Sequence, residues 1–136
     1  MILTASYWHP ERDEFIKVPF SEWAEFQAIY ETVKALEPSP RGFPSIDIDR
    51  DEMVVCTYIR FLDGTCTIAY GDLDRTFWPG PFYEDDEEYL EFDFNGSYSE
   101  VPRSVAIECS QALLAVRSFI EAGDIPPDVL PLIPEC

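Results

Sequence analysis

Several features that catalysis commonly requires are scarce or absent in this sequence. Histidine occurs once, as His9, and there is no Gly-rich phosphate loop, nucleophile elbow or zinc-binding His/Cys motif. His9 stands beside Pro10 in a polar stretch, which is more typical of a surface turn than of a general base. We therefore expect no enzymatic activity, no catalytic residue, no cofactor and no metal site. A hydrolase that uses two carboxylates is the one enzymatic alternative, because its chemistry needs no histidine.

Long apolar runs and paired cysteines are also missing. No stretch reaches the roughly 18 consecutive apolar residues that suggest a transmembrane helix, and the N-terminal residues lack the basic start and apolar stretch of a secretory signal. We expect a soluble, cytoplasmic protein that makes no membrane contact. The four cysteines include no Cys-x-x-Cys pair, so we expect reduced thiols that serve as small core residues. They are Cys56, Cys66, Cys109 and Cys136.

Positive charge is scarce as well. The chain has 9 Lys and Arg residues against 27 Asp and Glu residues, which gives a formal net charge of −18 at pH 7. Such a surplus has two explanations, solubility or a strongly basic partner. Direct binding to nucleic acid or to an anionic membrane is disfavoured, because it would bring like charges together. A protein that itself binds nucleic acid is the natural partner.

Two segments have the apolar periodicity of amphipathic helices. The chain has 136 residues, 46% of them hydrophobic, which suits a single domain over residues 1–136. The first helix is expected to begin after an N-cap at Ser21 and to end before the proline-rich residues 37–42. The second is expected to end at Gly123, since glycine suits the left-handed position after a helix. The apolar positions are Trp23, Phe26, Ile29, Tyr30, Val33 and Leu36 in the first, and Cys109, Ala112, Leu113, Val116, Phe119 and Ile120 in the second.

Alternating apolar residues and turn signals predict the strands. Residues 2–8 and 15–18 should form an edge hairpin, and residues 89–94 should lead into a turn at Asn95-Gly96. Residues 53–62 and 65–70 flank Asp63-Gly64, where a two-residue turn would place Phe61 opposite Cys66 and would point Cys56 to the other face. A short strand over residues 105–107 should precede the second helix. The pattern predicts an α+β fold, with two helices packed on one face of a mainly antiparallel sheet of five to seven strands.

The least regular segment, residues 71–88, has aromatic residues followed by a run of acids. One interpretation is that Phe77, Trp78 and Phe82 fill the core beneath a solvated, solubilising loop. The other is that the acids attract a basic partner while aromatic side chains anchor it. The candidate partner-binding residues are Asp72, Asp74, Trp78, Phe82, Tyr83, Glu84, Asp85, Asp86, Glu87 and Glu88, with Tyr98 from the following turn region.

The C-terminal tail offers a second candidate surface. Leu114 falls on the polar side of the second helix. Either the apolar residues of the proline-rich tail pack back over Leu114, or the exposed leucine meets a partner. We favour the tail, because monomers seldom leave such patches open. The tail residues concerned are Val129, Leu130, Leu132 and Ile133.

The order of features in residues 100–126 carries a family resemblance. Glu-Val-Pro is followed by a short apolar segment, a helix with the pattern A-L-x-A-V-x-x-F, and Gly-x-x-Pro. This order resembles the C-terminal signature of immunity proteins from bacterial polymorphic toxin systems, in the family often paired with nucleic-acid deaminase toxins. The resemblance implies a monomer that binds one cognate toxin of the cytosine-deaminase type and blocks it. The acidic surplus independently favours a basic toxin that acts on nucleic acid. The alternative is a broad-range acidic DNA mimic that antagonises many DNA-binding proteins.

Overall fold

The computed structural model describes residues 2–36, 38–71, 75–82 and 87–135. Within these ranges the chain forms two α-helices, nine strands and a short 3-10 helix over Arg103–Val105. The helices are α1 (Trp23–Lys34) and α2 (Cys109–Ala122). The strands are β1 (Leu3–His9), β2 (Glu14–Phe20), β3 (Ile46–Arg50), β4 (Met53–Arg60), β5 (Cys66–Gly71), β6 (Thr76–Trp78), β7 (Tyr89–Phe94), β8 (Ser97–Pro102) and β9 (Ile133–Pro134).

Seven of the strands form one antiparallel sheet in the order β2-β1-β3-β4-β5-β6-β9. Both helices pack on one face of this sheet, where the main core contains Phe26 and Phe119 with Ile48 and Ile68. This confirms the α+β prediction, including the sheet size and the edge position of the first hairpin. In the described part of the chain, neither helix has the length and apolarity needed to cross a bilayer.

The hairpin of β7 and β8 forms a separate two-stranded sheet, and its apolar residues belong to a second core. Its turn is the predicted Asn95-Gly96, with both residues at positive φ, as a two-residue turn requires. The second core contains residues from the other face of the large sheet, so both faces of that sheet are buried in part. Its buried members are Ile59, Phe61, Trp78, Phe92, Val101 and Val105.

A buried polar cluster fixes the hairpin turn to the large sheet. The Asn95 side-chain amide donates to Asp47 Oδ2 at 2.7 Å, and Thr57 Oγ1 donates to Asp47 Oδ1 at 2.8 Å. Burial raises the pKa of the Asp47 carboxyl, although the two hydrogen bonds oppose this change. Gly96 lies against the ring of Trp8, where a Cβ atom would come within 3.3 Å of the indole. The hairpin is therefore held at its turn as well as by its apolar face.

The predicted register of the β4–β5 hairpin is wrong by one residue. Phe61 N–H donates to Thr65 O at 2.9 Å and Gly64 N–H to Phe61 O at 3.2 Å, so the turn has three residues with Gly64 at φ 90°. Arg60, rather than Phe61, stands opposite Cys66. A shift of one residue exchanges the two faces of a strand. As a result Cys56 and Cys66 both face the helices, while Phe61 faces the β7–β8 hairpin.

The cysteine prediction is also wrong for one pair. Cys66 and Cys109 form a disulfide that joins β5 to the first residue of α2, 43 positions along the chain. Tyr58 OH lies 3.0 Å from the Cys66 sulfur. Cys56 is free, as predicted, and burial raises the pKa of its thiol to about 12. Because disulfides are more typical of oxidising compartments than of the cytosol, cytoplasmic localisation stays a prediction.

Predictions for the start of α1 and for the strand before α2 are also wrong. Helix α1 begins at Trp23, with Glu22 in the capping position, whereas Ser21 donates through its backbone N–H and its hydroxyl to Glu25 Oε1. The predicted strand over residues 105–107 does not form, because Val105 ends the 3-10 helix and only Ile107 makes an isolated bridge, to Cys66. Strand β3 has no counterpart in the sequence analysis.

Three residues of the segment predicted to be irregular, Thr76–Trp78, form strand β6, and two residues of the tail form β9, which pairs with it. Strand β6 lies between β5 and β9, with Phe77 opposite Pro134 and Trp78 opposite Ile133. The tail buries Leu130, but it does not cover Leu114, which remains 59% exposed. The preferred interpretation of the Leu114 patch is therefore wrong, since the tail extends toward the sheet edge at β6.

Candidate functional site

The candidate partner-binding residues divide into three groups in the structure. Six of them lie outside the described residues, namely Asp72, Asp74, Tyr83, Glu84, Asp85 and Asp86. Trp78 and Phe82 lie in the second core. Glu87, Glu88 and Tyr98 are exposed at the surface of the β7–β8 hairpin or at the chain that enters it. Glu88 precedes the open end of the hairpin, whereas Tyr98 lies next to its turn.

Trp78 and Phe82 have the geometry of core residues. Trp78 is 7% exposed, its ring centroid is 5.3 Å from that of Phe82, and its indole N–H donates to Glu135 Oε1 at 3.2 Å. Phe82 is partly buried against the same cluster. Of the two interpretations of these aromatic residues, the structure shows the one in which they fill the core. Both residues belong to the same apolar cluster as the buried residues of the β7–β8 hairpin.

Tyr98 has the opposite environment, because it projects from the outer face of β8. Its side chain is 54% exposed, and its hydroxyl lies 3.0 Å from Glu100 Oε2 and 3.2 Å from Glu91 Oε1. One phenolic proton therefore serves two carboxylates. The hydrogen bond to Glu100, followed by burial and the hydrogen bond to Glu91, raises the pKa of Tyr98 to about 12.

Glu91 and Glu100 are paired directly across the two strands of the hairpin. Like charges in directly opposite positions destabilise a sheet. We call Glu91, Tyr98 and Glu100 the carboxylate pair site. Its acids were missed in the sequence analysis, although the correctly predicted turn at Asn95-Gly96 already fixes Glu91 opposite Glu100. The sequence feature that could have identified these two acids was the register of the hairpin, and not the local density of acidic residues.

The chain that enters the hairpin adds further charge. Arg103 Nε lies 3.1 Å from Glu88 Oε2, and Arg103 Nη1 lies 3.1 Å from Asp63 Oδ2. Partial burial raises the pKa of Asp63, but hydrogen bonds from Thr65 and the charge of Arg103 outweigh it, so the pKa lies below its usual value. Arg103 thus joins the β4–β5 turn to the start of β7. The Asp63 carboxylate is therefore held in place as an anion at neutral pH.

The raised pKa of Tyr98 leads to a test of the carboxylate pair site. Replacing Glu100 with glutamine should lower the Tyr98 pKa from about 12 toward its ordinary value, because a neutral amide no longer penalises the phenolate. In the wild-type protein the protonated phenol favours the folded state at and below pH 10, and this contribution is lost as the pH rises toward 12. A ¹³C NMR titration of the Tyr98 ring measures the change.

The matched control for this titration is Glu31→Gln, which makes the same substitution on the exposed surface of α1. It should leave the Tyr98 pKa unchanged. If Glu100→Gln also leaves it unchanged, the phenol does not share its proton with the carboxylates in solution.

The comparison with known families identifies the class of protein. A family model described as immunity protein Imm1 matches residues 44–131, which is more than half of the chain and extends from just before β3 into the C-terminal tail, ending before β9. The protein is therefore an immunity protein, which acts against a toxin. The chain belongs to the Imm1 family, which confirms the resemblance seen in residues 100–126. No curated protein and no solved structure matches the chain.

The matched region includes the whole hairpin with the carboxylate pair site, whereas β1, β2 and α1 lie outside it. Within the described ranges, no group of three or more His, Cys, Asp or Glu side chains is arranged to hold a metal ion. The site is thus a surface of fixed carboxylates with one exposed phenol. Such a surface can attract and bind cationic groups.

Proposed function

We propose that this immunity protein blocks a toxin that acts on nucleic acid, of the cytosine-deaminase type, by covering its active site or substrate groove. The observation that carries the proposal is the carboxylate pair site, where Glu91 and Glu100 face each other on an exposed strand pair. Two like charges in this position cost stability in the free protein. Cationic groups of a partner would remove that cost on binding. A groove that receives phosphates provides such groups.

The net charge of the chain supports the same proposal. A protein with a net charge of −18 repels nucleic acid and attracts proteins with basic grooves. Attraction of this kind accelerates association and weakens as salt is added. The inhibitor would bind its toxin one to one in the cytoplasm and would act by occupation, without catalysis. The acidic residues 84–88 remain part of the proposed contact surface, and Tyr98 is its exposed aromatic residue.

Co-expression tests the proposed function. The chain should restore growth of cells that express the toxin encoded beside its gene, and it should not bind unrelated basic DNA-binding proteins at physiological salt. Binding to many such proteins would favour the broad-range DNA mimic instead. If growth is restored against none of the neighbouring toxins, the proposed function is wrong.

The acidic run leads to a kinetic prediction. Neutralising Asp85, Asp86, Glu87 and Glu88 together, to asparagine or glutamine, should slow association with the toxin by about tenfold at low salt and flatten its salt dependence. Dissociation should change less, because long-range attraction acts mainly before contact. Stopped-flow or surface-based measurement of both rate constants at several salt concentrations provides the test.

Four glutamates on or next to the helices provide a matched control for charge. Changing Glu22, Glu25, Glu31 and Glu121 to glutamine removes the same number of charges from the helix layer. This control should reduce the association rate constant less than neutralising residues 85–88 does. Equal effects of the two variants would mean that net charge matters and the position of the acids does not.

A further inference from the structure

A groove of about 290 Å³ lies between the β4–β5 turn and the start of β7. Its floor includes Phe61, which is 1% exposed, and Leu62 and Tyr89 are exposed beside it. This volume is just below the range for small-ligand pockets, about 300–1,000 Å³. It therefore suits one long side chain better than a helix or a strand. Its lining residues are Pro40, Arg41, Phe61, Leu62, Asp63, Tyr89, Leu90 and Glu91.

Most of the lining of the groove is apolar, and its charged residues are Asp63, Glu91 and Arg41. Asp63 is already paired with Arg103. Glu91 continues into the carboxylate pair site with Glu100, and in the described part of the chain neither of these two carboxylates forms a salt bridge. A side chain that complements this arrangement has an aliphatic stem and a cationic head. Lysine and arginine both have this form, since they bury their methylene stems while the charged head stays at the surface.

The head group distinguishes the two residues. The carboxylates of Glu91 and Glu100 come from adjacent strands and already share one donor, the Tyr98 hydroxyl. A guanidinium has five donors in a planar fork and can bind two carboxylates at once, whereas an ammonium acts as a point charge. A guanidinium also stacks on aromatic rings. The protein's own Arg41 has such a contact, with its guanidinium carbon 5.8 Å from the centroid of the Tyr98 ring.

We propose that the groove receives an arginine side chain of the toxin. Its stem lies against Leu62 and Tyr89, and its head binds Glu91 and Glu100 in place of the Tyr98 hydroxyl. This inference rests on the proposed function, because it names the chemical group that the toxin brings to the acidic surface. It adds that recognition depends on one residue in one groove, and not only on the summed charge of the chain.

The groove can be tested without the toxin. Titrating the isotope-labelled protein with N-acetyl-arginine amide should shift the backbone amide signals of Leu62, Tyr89 and Glu91. The corresponding lysine amide should bind several-fold more weakly, and the uncharged norleucine amide should produce no saturable shift. The variant Glu91→Gln should weaken arginine binding, while Glu31→Gln should not. Shifts that are scattered over the surface, or equal for arginine and lysine, would overturn the proposal.

The toxin complex provides the second test. The charge reversal Glu91→Arg should raise the Kd for the toxin at least 100-fold with little change in thermal stability, because Glu91 is exposed and the introduced guanidinium can pair with Glu100. The same reversal at Glu31 should have less than a threefold effect. If wild type protects cells and Glu91→Arg protects them equally, the arginine proposal is wrong and the proposed function stands. If wild type protects against no neighbouring toxin, the proposed function is wrong. The amide titration alone then shows whether the groove binds an arginine side chain.

Discussion

Replacing Trp78 with alanine should lower the free energy of unfolding by about 3–5 kcal/mol, the usual cost of truncating a buried tryptophan. Trp78 is buried in the second core, where it contacts Phe82 and donates a hydrogen bond to Glu135. The truncation would leave a cavity between the sheet and the β7–β8 hairpin and would remove the partner of a carboxylate in the tail. Urea denaturation, followed by circular dichroism, measures the loss.

Leu114→Ala is the control for this prediction, because it also removes a large apolar side chain. Leu114 is 59% exposed on α2, so its loss should change stability by about 0.5 kcal/mol or less. If Trp78→Ala keeps nearly full stability and instead speeds dissociation from the toxin, Trp78 is a contact residue and not a core residue.

Removing the disulfide should have an effect of similar size. Bridging residues 43 positions apart restricts the unfolded chain, and the chain-entropy relation gives about 4 kcal/mol for a loop of this length. Cys109→Ala should therefore lower the free energy of unfolding by roughly that amount. A reducing agent should lower wild-type stability similarly and should leave the stability of Cys109→Ala unchanged.

Two other interactions limit the structural damage when the disulfide is absent. Cys66 and Ile107 exchange backbone hydrogen bonds of 2.9 and 2.8 Å, and Thr67 Oγ1 donates to Val105 O at 2.7 Å. We therefore expect a folded but less stable protein. If the reducing agent leaves wild-type stability unchanged, Cys66 and Cys109 are not bridged in solution.

The sequence was most informative where the structure depends on neighbouring residues. Asn95 and Gly96 adopt the positive φ values of a two-residue turn, and Gly123 ends α2 in the left-handed conformation. At Asp63-Gly64 the same reasoning was wrong. There the Asp63 carboxylate accepts hydrogen bonds from the backbone and hydroxyl of Thr65, and Gly64 adopts the positive φ of a three-residue turn. Both turns use similar dipeptides, so side-chain hydrogen bonds decide the loop length and with it the register.

Features that depend on distant residues could not be predicted from local patterns. Strand β6 pairs on one side with β5 and on the other with the tail, more than 50 positions later in the chain. The Cys66–Cys109 disulfide similarly depends on how α2 packs on β5. Proline and glycine in residues 79–81 indicated an irregular loop correctly, but they carry no information about the strand immediately before them.

The candidate surface likewise has some residues that the sequence identified and others that it could not. Composition indicated Glu87, Glu88 and Tyr98, and these residues are exposed on the side of the molecule where the hairpin lies. Composition alone could not separate Trp78, which is buried, from Tyr98, which is exposed. It also could not single out Glu91 and Glu100 among 27 acids, because their significance lies in their cross-strand pairing.

The central claim is that the acidic surface occupies the part of the toxin that binds nucleic acid. The most direct measurement is the inhibition of the purified toxin by this protein at increasing concentrations of the nucleic-acid substrate. Occupation of the substrate groove predicts competitive inhibition, so the apparent inhibition constant should rise in proportion to substrate concentration above the toxin's KM. An apparent inhibition constant that stays the same over a hundredfold range of substrate would contradict the account, since inhibitor and substrate would then bind at separate places.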